Sequence, residues 1–481
     1  MRASVTLPEM AVLLAVAQDH ALGQPPGSQL RAVAIAQQLV QSVGADSAEA
    51  ATTWWSSALR FLGCTGHAFD MIRLMVTHAG SNEPGVARIR SVLAVLAGGK
   101  KGAEMNFRTA CEVADVFAKR LGLGEPVLAA LRTSFERWNG RGLPTGAKGT
   151  DIPRPMRTAQ LAHEFEILAR IEGVPRALDI VKRRRGKAYD PELADLVVDH
   201  GEGWWDDVEP RDPWDAALSS APRSEPLDDP AVHEALLVLA DFADLKSPWT
   251  SGHSRAVASL ALEACGPVAE AAALVHDLGR VTVPNTVWDK PGPLTRDERD
   301  RAETHTLVTD QLLRRLPYTA ALADAASSAH ERLDGAGYHR RATGAGLDRA
   351  QRVLAAADRY EAMTSDRPHR PALTAAAAAA ELRALSAVGV LDGEAVERVL
   401  AAAGHQRVAR PALPAGLSDR EVDVLRLVAL GCTTRQVAER LVISPKTADH
   451  HIQHIYTKIG ASTRGAAALF AIEHGIVASR A

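Results

Sequence analysis

The chain has 481 residues, 46% hydrophobic and 23% charged, with a formal net charge of −3 and a pI near 6.6. That length suits roughly three domains, and the near-neutral balance excludes a protein that coats nucleic acid along its whole length, so a DNA-binding face has to be sought locally. Its four cysteines, Cys64, Cys111, Cys265 and Cys432, form no C-x-x-C pair, which excludes a disulfide framework and a zinc knuckle and suits a reducing cytoplasm.

At the N-terminus the apolar run Met10 to Ala17 is short and bounded by Pro8, Glu9 and Asp19, so neither a signal peptide nor a membrane span is expected. Stretches such as Arg31 to Val43 and Thr109 to Leu121 repeat apolar residues at intervals of three and four, and no stretch alternates as a strand does, so the fold is expected to be all-α. The run Lys182 to Arg185 with Lys187 reads as a solvated helix end, or alternatively as a phosphate contact. Five prolines between Asp206 and Pro230, and two more with two glycines between Gly404 and Gly416, read as linkers. The expected division is 1–205, a linker 206–229, 230–404, a linker 405–415, and 416–481.

The first two blocks repeat one another. FERWNGRGLPTGAKG (Phe135 to Gly149) aligns without gaps on HERLDGAGYHRRATG (His330 to Gly344), an offset of 195 that also pairs Arg157 with Arg352 and Ala162 with Ala357. Two all-helical copies of one fold are therefore expected.

The second copy carries a series of metal-compatible side chains: His253, His276, Asp277, His305, His330 and Asp358. An adjacent His-Asp pair lets the imidazole bind one ion while the carboxylate bridges two. Two ions would clamp a phosphodiester and lower the pKa of a bridging water, giving Asp277 a catalytic place. Arg280, three residues after Asp277, would neutralise a phosphoryl oxygen.

This block, through TSGHSRAVA, LVHDLGRVTVPNTVWDKPGPLT, ETHTLVTDQLL, AHERLDGAGYH and AADRYEAMTSDRPHRPAL, resembles the HD-GYP branch of the HD phosphohydrolase superfamily. The resemblance implies a helical domain with iron or manganese at a multinuclear centre that hydrolyses cyclic di-GMP. It assigns the six ligands above, gives Arg367 and Arg370 the task of holding the nucleotide, and puts Tyr338 in the loop that recognises substrate. This sequence departs from the family at Ala329, where a second histidine is usual, at Trp249, at Arg280 in place of lysine, and at His339 in the Gly-Tyr-Pro motif. Six ligands suit a dinuclear centre.

In the first copy Gln29, Phe61, Leu62, Ala110, Phe135 and His163 stand in the ligand places. Apolar replacements are expected to fill the cavity, leaving a packing or dimerising partner, or a sensing pocket.

In the last block Ser418 with Glu421 reads as a capping box, Thr433 or Thr434 opens a second helix, and Ser444 caps a third that begins at Pro445. On the third helix Ala448, Ile452, Ile455 and Ile459 are expected to face the core. Asp449, His450 and Gln453 would meet bases, and Lys446, Thr447, Lys458 and Arg464 the backbone. His450 and His454, four apart, could also grip a metal. This block resembles the LuxR-type helix-turn-helix over about 65 residues, with eight Lys or Arg against six Asp or Glu from Gly416 onward. Weak monomeric binding to promoter DNA implies a homodimer on paired half-sites. The expected function is a cytoplasmic LuxR-type transcription regulator controlled by an HD-GYP-like metal domain. The alternative is a cyclic di-GMP phosphodiesterase, or a hydrolase of another nucleotide or phosphate ester, with an accessory DNA-binding domain.

Overall fold

The computed structural model describes residues 4–63, 99–405, 414–429, 431–461, 463–474 and 476. Cys64 and residues 406–413 of the second expected linker lie outside these. Among the described residues every regular element is a helix, as the periodicity predicts, and none is long and apolar enough to cross a membrane. Contacts divide the chain into two compact units, residues 1–406 and 407–481.

The first unit holds both copies. The first comprises α1 (Leu7–Ala21), α2 (Ser28–Ser42), α3 (Ser47–Leu59), α4 (Gly99–Arg120), α5 (Glu125–Leu131), α6 (Arg154–Glu172), α7 (Val174–Arg184) and α8 (Pro191–Val208). After α9 (Pro213–Ser219), the second comprises α10 (Asp229–Asp244), α11 (His253–Cys265), α12 (Pro267–Val275), α13 (Asn285–Trp288), α14 (Arg296–Leu313), α15 (Pro317–Ala326), α16 (Arg349–Thr364), α17 (Ala375–Ala387) and α18 (Gly393–Ala402).

The duplication extends to side-chain bonding. Arg157 pairs with Asp190 and Arg352 with Asp392. Glu136 accepts from the backbone of Thr145 and Gly146, and Glu331 from that of Arg340 and Ala342. Gly142 and Gly337 lie so close to these glutamates that an added Cβ would come within 2.3 and 2.6 Å of their Cα atoms. The loop glycines are therefore required by packing in both copies.

The two copies share one core. A single cluster joins Leu13, Trp54 and Leu131 of the first to Leu239, Val257 and Leu354 of the second, and α1 packs on α14 and on the 3-10 turn Leu278–Thr282. The proline-rich segment is not an open linker. Pro213 begins α9, capped by Asp212, and buries Trp214, while Pro226 bridges to Thr6 and Pro230 lies in the first turn of α10. Proline costs little in a helix's first turn, where its missing N–H would have no partner.

The second unit comprises α19 (Asp419–Ala429), α20 (Thr434–Leu441), α21 (Pro445–Ile459) and α22 (Arg464–Glu473) around Val424, Leu425, Val437, Ala448, Ile452 and Ile455. Ser418 and Glu421 form the expected capping box, Thr433 forms one with Gln436, and Ser444 accepts from the N–H of Thr447. Val442 ends α20 at φ 54 and ψ 49, 91% exposed.

Candidate metal centre and nucleic-acid face

Five elements of the second copy bring the predicted ligands together. His253 is the first residue of α11, entered through Gly252 in the left-handed region at φ 78. Asp244, at the end of α10, accepts from the N–H and hydroxyl of Ser254 at 2.9 and 2.7 Å, which fixes that entry. Burial pushes the Asp244 carboxyl up to about 6. His276 and Asp277 follow α12, His305 lies on α14, His330 precedes the Gly-Tyr-His loop, and Asp358 lies on α16.

Asp277 is the hub. Its Oδ2 lies 3.4 Å from His253 Nε2 and 3.5 Å from His276 Nε2, and its Oδ1 3.4 Å from His305 Nε2. Asp358 lies 3.1 Å from His253 Nε2 and 3.3 Å from His330 Nδ1. The donor atoms fall into two groups, His253 with His276 and Asp277, and Asp277 with His305 and His330, each within 4.8 Å. One carboxylate thus belongs to both groups.

The ring tautomers follow from their outer contacts. His276 Nδ1 and His305 Nδ1 each meet a carbonyl oxygen, of Ala273 and Ala302, at 2.6 Å. A carbonyl can only accept, so each Nδ1 carries a proton, and in the neutral ring each Nε2 presents its lone pair inward. His253 Nδ1 contacts the Glu361 carboxylate instead. His253 Nε2, His276 Nε2, His305 Nε2 and Asp277 Oδ1 are buried without a hydrogen-bond partner. Three orphaned imidazole nitrogens and one orphaned oxygen of Asp277, with the buried carboxylate of Asp358 beside them, fit divalent cations, because uncompensated buried anions are otherwise costly.

Against burial, the carboxylates of Asp277 and Asp358 raise both the His253 and the His276 imidazoles, so protons and a cation compete for the same nitrogens. Burial opposes ionisation of Asp277, but Arg280 and His276, with contacts from His253 and His305, hold its carboxyl well below the usual range. Asp358 is likewise held low, against burial, by His330 and by contacts from His253 and His276. Burial pushes His330 down to about 3, so its ring is neutral, and it stacks on Tyr338 at 4.6 Å.

The centre opens into a cavity of about 680 Å³ lined by aromatic and cationic side chains, among them Trp249, Trp288, Tyr338 and Arg280. Arg280 bonds Asp277 at 2.5 Å and lies over the Trp288 ring at 4.4 Å. Arg367 lines the same cavity, bonded to Glu361 at 3.0 Å and to the Trp249 carbonyl at 2.8 Å. Arg370, expected on the nucleotide, also lines the cavity and donates to the carbonyls of Ala362, Met363, Ser365 and Pro371, which brace the segment after α16. Glu361 was missed in the sequence, although its place three residues after Asp358 puts both on one helix face. His339 reaches Thr306 Oγ1 at 2.9 Å and so ties its loop to α14.

In the first copy the corresponding space is filled. Phe61, Phe107 and Phe135 cluster with Leu22, Ala110 and Cys111, and Phe61 lies 4.7 Å from His163. The register differs by one residue from the sequence reading in two places. Ser28, not Gln29, follows the left-handed glycine and bonds Glu166, as His253 contacts Glu361. An added Cβ on Gly63 would meet the Ala110 carbonyl at 1.9 Å, as one on Gly279 would meet that of His305 at 2.0 Å. Matching these glycines puts Arg60 at His276 and Phe61 at Asp277.

On the second unit Lys446, Thr447, Asp449, His450 and Gln453 lie exposed along α21, and Ala448, Ile452 and Ile455 are buried. Lys458 and Arg464, expected on DNA phosphate, are engaged within the unit. Lys458 bonds Glu421 at 2.7 Å and the Gly416 carbonyl at 3.0 Å, and Arg464 bonds the Cys432 carbonyl. His454 pairs with Glu421 at 2.8 Å, and its ring lies parallel to that of His450 with centroids 6.2 Å apart.

Fold and site together are like those of an HD-type domain joined to a LuxR-type helix-turn-helix. Residues 237–395 match the family model described as HD domain, and residues 415–471 that of the bacterial regulatory proteins, luxR family. Over 405 residues the chain is 28% identical to the 3'3'-cGAMP-specific phosphodiesterase 3 of Vibrio cholerae, covering 76% of this chain and 88% of that protein. A crystal structure of a V. cholerae cyclic GMP-AMP specific phosphodiesterase superposes with a TM-score of 0.61 at 26% identity, covering 84% of this chain and 99% of that one. These matches extend beyond residues 237–395, so both copies take part. Over 56 residues, 11% of this chain and 6% of the relative, it is 43% identical to a putative HTH-type transcriptional regulator of Mycobacterium bovis.

Proposed function

We propose that the protein is a cytoplasmic DNA-binding regulator whose first unit hydrolyses a cyclic dinucleotide at a dinuclear iron or manganese centre. The observation that carries this is the pair of donor groups sharing Asp277, with orphaned imidazole nitrogens at the floor of a cationic, aromatic cavity. His253, His276, His305, His330, Asp277 and Asp358 would hold the metal. A divalent metal pair supplies Lewis acidity toward a phosphodiester and lowers the pKa of water. Arg280, pinned between Asp277 and Trp288, is set to meet charge developing on a phosphoryl oxygen, and Tyr338 and Trp249 give purine rings flat surfaces. The relative that covers most of the chain is a 3'3'-cGAMP-specific phosphodiesterase, which supports 3'3'-cGAMP as the substrate. Residues 1–205 serve as the packing partner of 230–404, and 416–481 as the DNA reader.

The second unit reads promoter DNA through Asp449, His450 and Gln453, with Lys446 and Thr447 on the backbone, as a homodimer on paired half-sites. The test compares the wild type with His276→Ala/Asp277→Ala, measuring bound metal, turnover of 3'3'-cGAMP and cyclic di-GMP with manganese, and operator binding. Metal-dependent turnover lost in the variant is expected. A wild type that binds no metal and turns over neither nucleotide refutes the enzyme reading.

A further inference from the structure

A cyclic dinucleotide carries two phosphodiesters, and only one can lie at the metal centre at a time. The other, with its negative charge, needs a partner elsewhere in the cavity. Six cationic side chains line that cavity: Arg280, Lys290, Arg299, Arg359, Arg367 and Arg370. Four are committed within the chain. Arg280 is held by Asp277, Lys290 by Glu298 at 2.5 Å, Arg367 by Glu361, and Arg370 by main-chain carbonyls. Arg299 and Arg359 are exposed, and among the described residues their side chains make no hydrogen bond or ion pair. Among the described residues Asp358 is the sole acidic residue in the lining, and it belongs to the proposed metal centre.

The two free arginines also occupy a useful place. Arg359 follows Asp358 on α16, and Arg299 lies six residues before His305 on α14. Each therefore projects from a helix that also delivers a metal ligand, so an anion on these arginines would have its distance from the metal centre set by the helices. A guanidinium whose donors meet no group of its own chain keeps all of them for a phosphate and has no internal ion pair to break first.

We propose that Arg299 and Arg359 anchor the phosphate that is not being cut, and that they set a preference for substrates with two phosphodiesters over those with one. This rests on the reading of the centre as a phosphodiesterase.

The test uses the full chain with manganese and compares 3'3'-cGAMP with bis(p-nitrophenyl) phosphate, which has a single phosphodiester. For R299A and R359A, the ratio of kcat/KM for the dinucleotide to that for the single diester is expected to fall about tenfold each, through KM. R299K and R359K should recover part of it. An unchanged ratio in the double variant overturns the anchor and leaves the phosphodiesterase reading standing. A wild type inactive on both substrates overturns that reading. Equilibrium binding of 3'3'-cGAMP in the presence of manganese then decides the anchor, which fails if R299A/R359A binds as tightly as wild type or if the wild type does not bind.

Discussion

Replacing Gly279 by alanine would perturb the candidate metal centre without touching a proposed ligand. The added Cβ would lie 2.0 Å from the His305 carbonyl oxygen, 2.7 Å from Thr309 N and 2.9 Å from Thr309 Oγ1. Ordinary contact begins near 3.4 Å, so α14 and the turn after Asp277 must separate by about 1.4 Å against a rigid backbone. Thr309 clamps that joint, its Oγ1 accepting from Gly279 N at 2.9 Å and donating to the His276 carbonyl at 3.1 Å. Overpacking plus a lost hydrogen bond costs about 2–4 kcal/mol, which in a unit of this size lowers Tm by about 3 °C. The same separation carries His305 Nε2 away from Asp277, where ligand distances tolerate about 0.2 Å, so metal affinity should fall at least about tenfold. Metal content after dialysis and a melting curve are the assay. G63A supplies the control, since its Cβ would strike the Ala110 carbonyl in the copy that lacks ligands. It should cost similar stability and retain metal. A G279A protein with wild-type Tm and metal content would refute the reasoning.

Two further outcomes concern the DNA-reading unit. Val442→Asn should stabilise it by about 1 kcal/mol, because a β-branched residue in the left-handed region is strained and asparagine is tolerated there. Slower hydrogen exchange across α20 and α21 is the readout, and unchanged or faster exchange counts against it. Burial works to raise the Glu421 carboxyl, but bonds from Lys458, from the N–H and hydroxyl of Ser418 and from His454 hold it at about 2. A folded-state value below the ordinary 4.5 contributes stability that is present above that pH and lost as pH falls toward 2. Protection factors in α19, exchange normalised to the unfolded chain at each pH, should therefore fall across that window in the wild type, whereas Glu421→Gln should lack this acid-dependent step.

The clustering of six metal-compatible side chains was legible because they stand in recognisable motifs, and a His-Asp pair suggests a bridging carboxylate from sequence alone. What sequence order could not carry was the destination of each cation. Arg370 reads as a nucleotide contact and Lys458 and Arg464 as phosphate contacts, yet each finds an acceptor inside its own unit, whereas Arg299, outside the motifs, and Arg359, next to a ligand place within one, find none among the described residues. A positive charge in a sequence does not name its anion. The one-residue offsets in the first copy were hidden because Gly27 and Gly63 mark the register and their ligand-bearing neighbours have changed. The segment at 206–230 misled for another reason. Proline density signals an open chain unless the prolines fall in first turns of helices, which depends on where Asp212 and Asp228 act as caps.

The core common to the two copies also bears on how such a chain can change. While two copies fold separately, either can be deleted at little cost to the other. Once Trp54 and Leu354 belong to one interior, deletion of the copy without ligands would strip α14 and the turn beside Arg280 of the helix that covers them. The inert half is then held in place by physics alone, free to lose every catalytic side chain yet unable to leave. Its surface, relieved of chemistry, becomes the part of the unit where substitution is least constrained by the centre it supports.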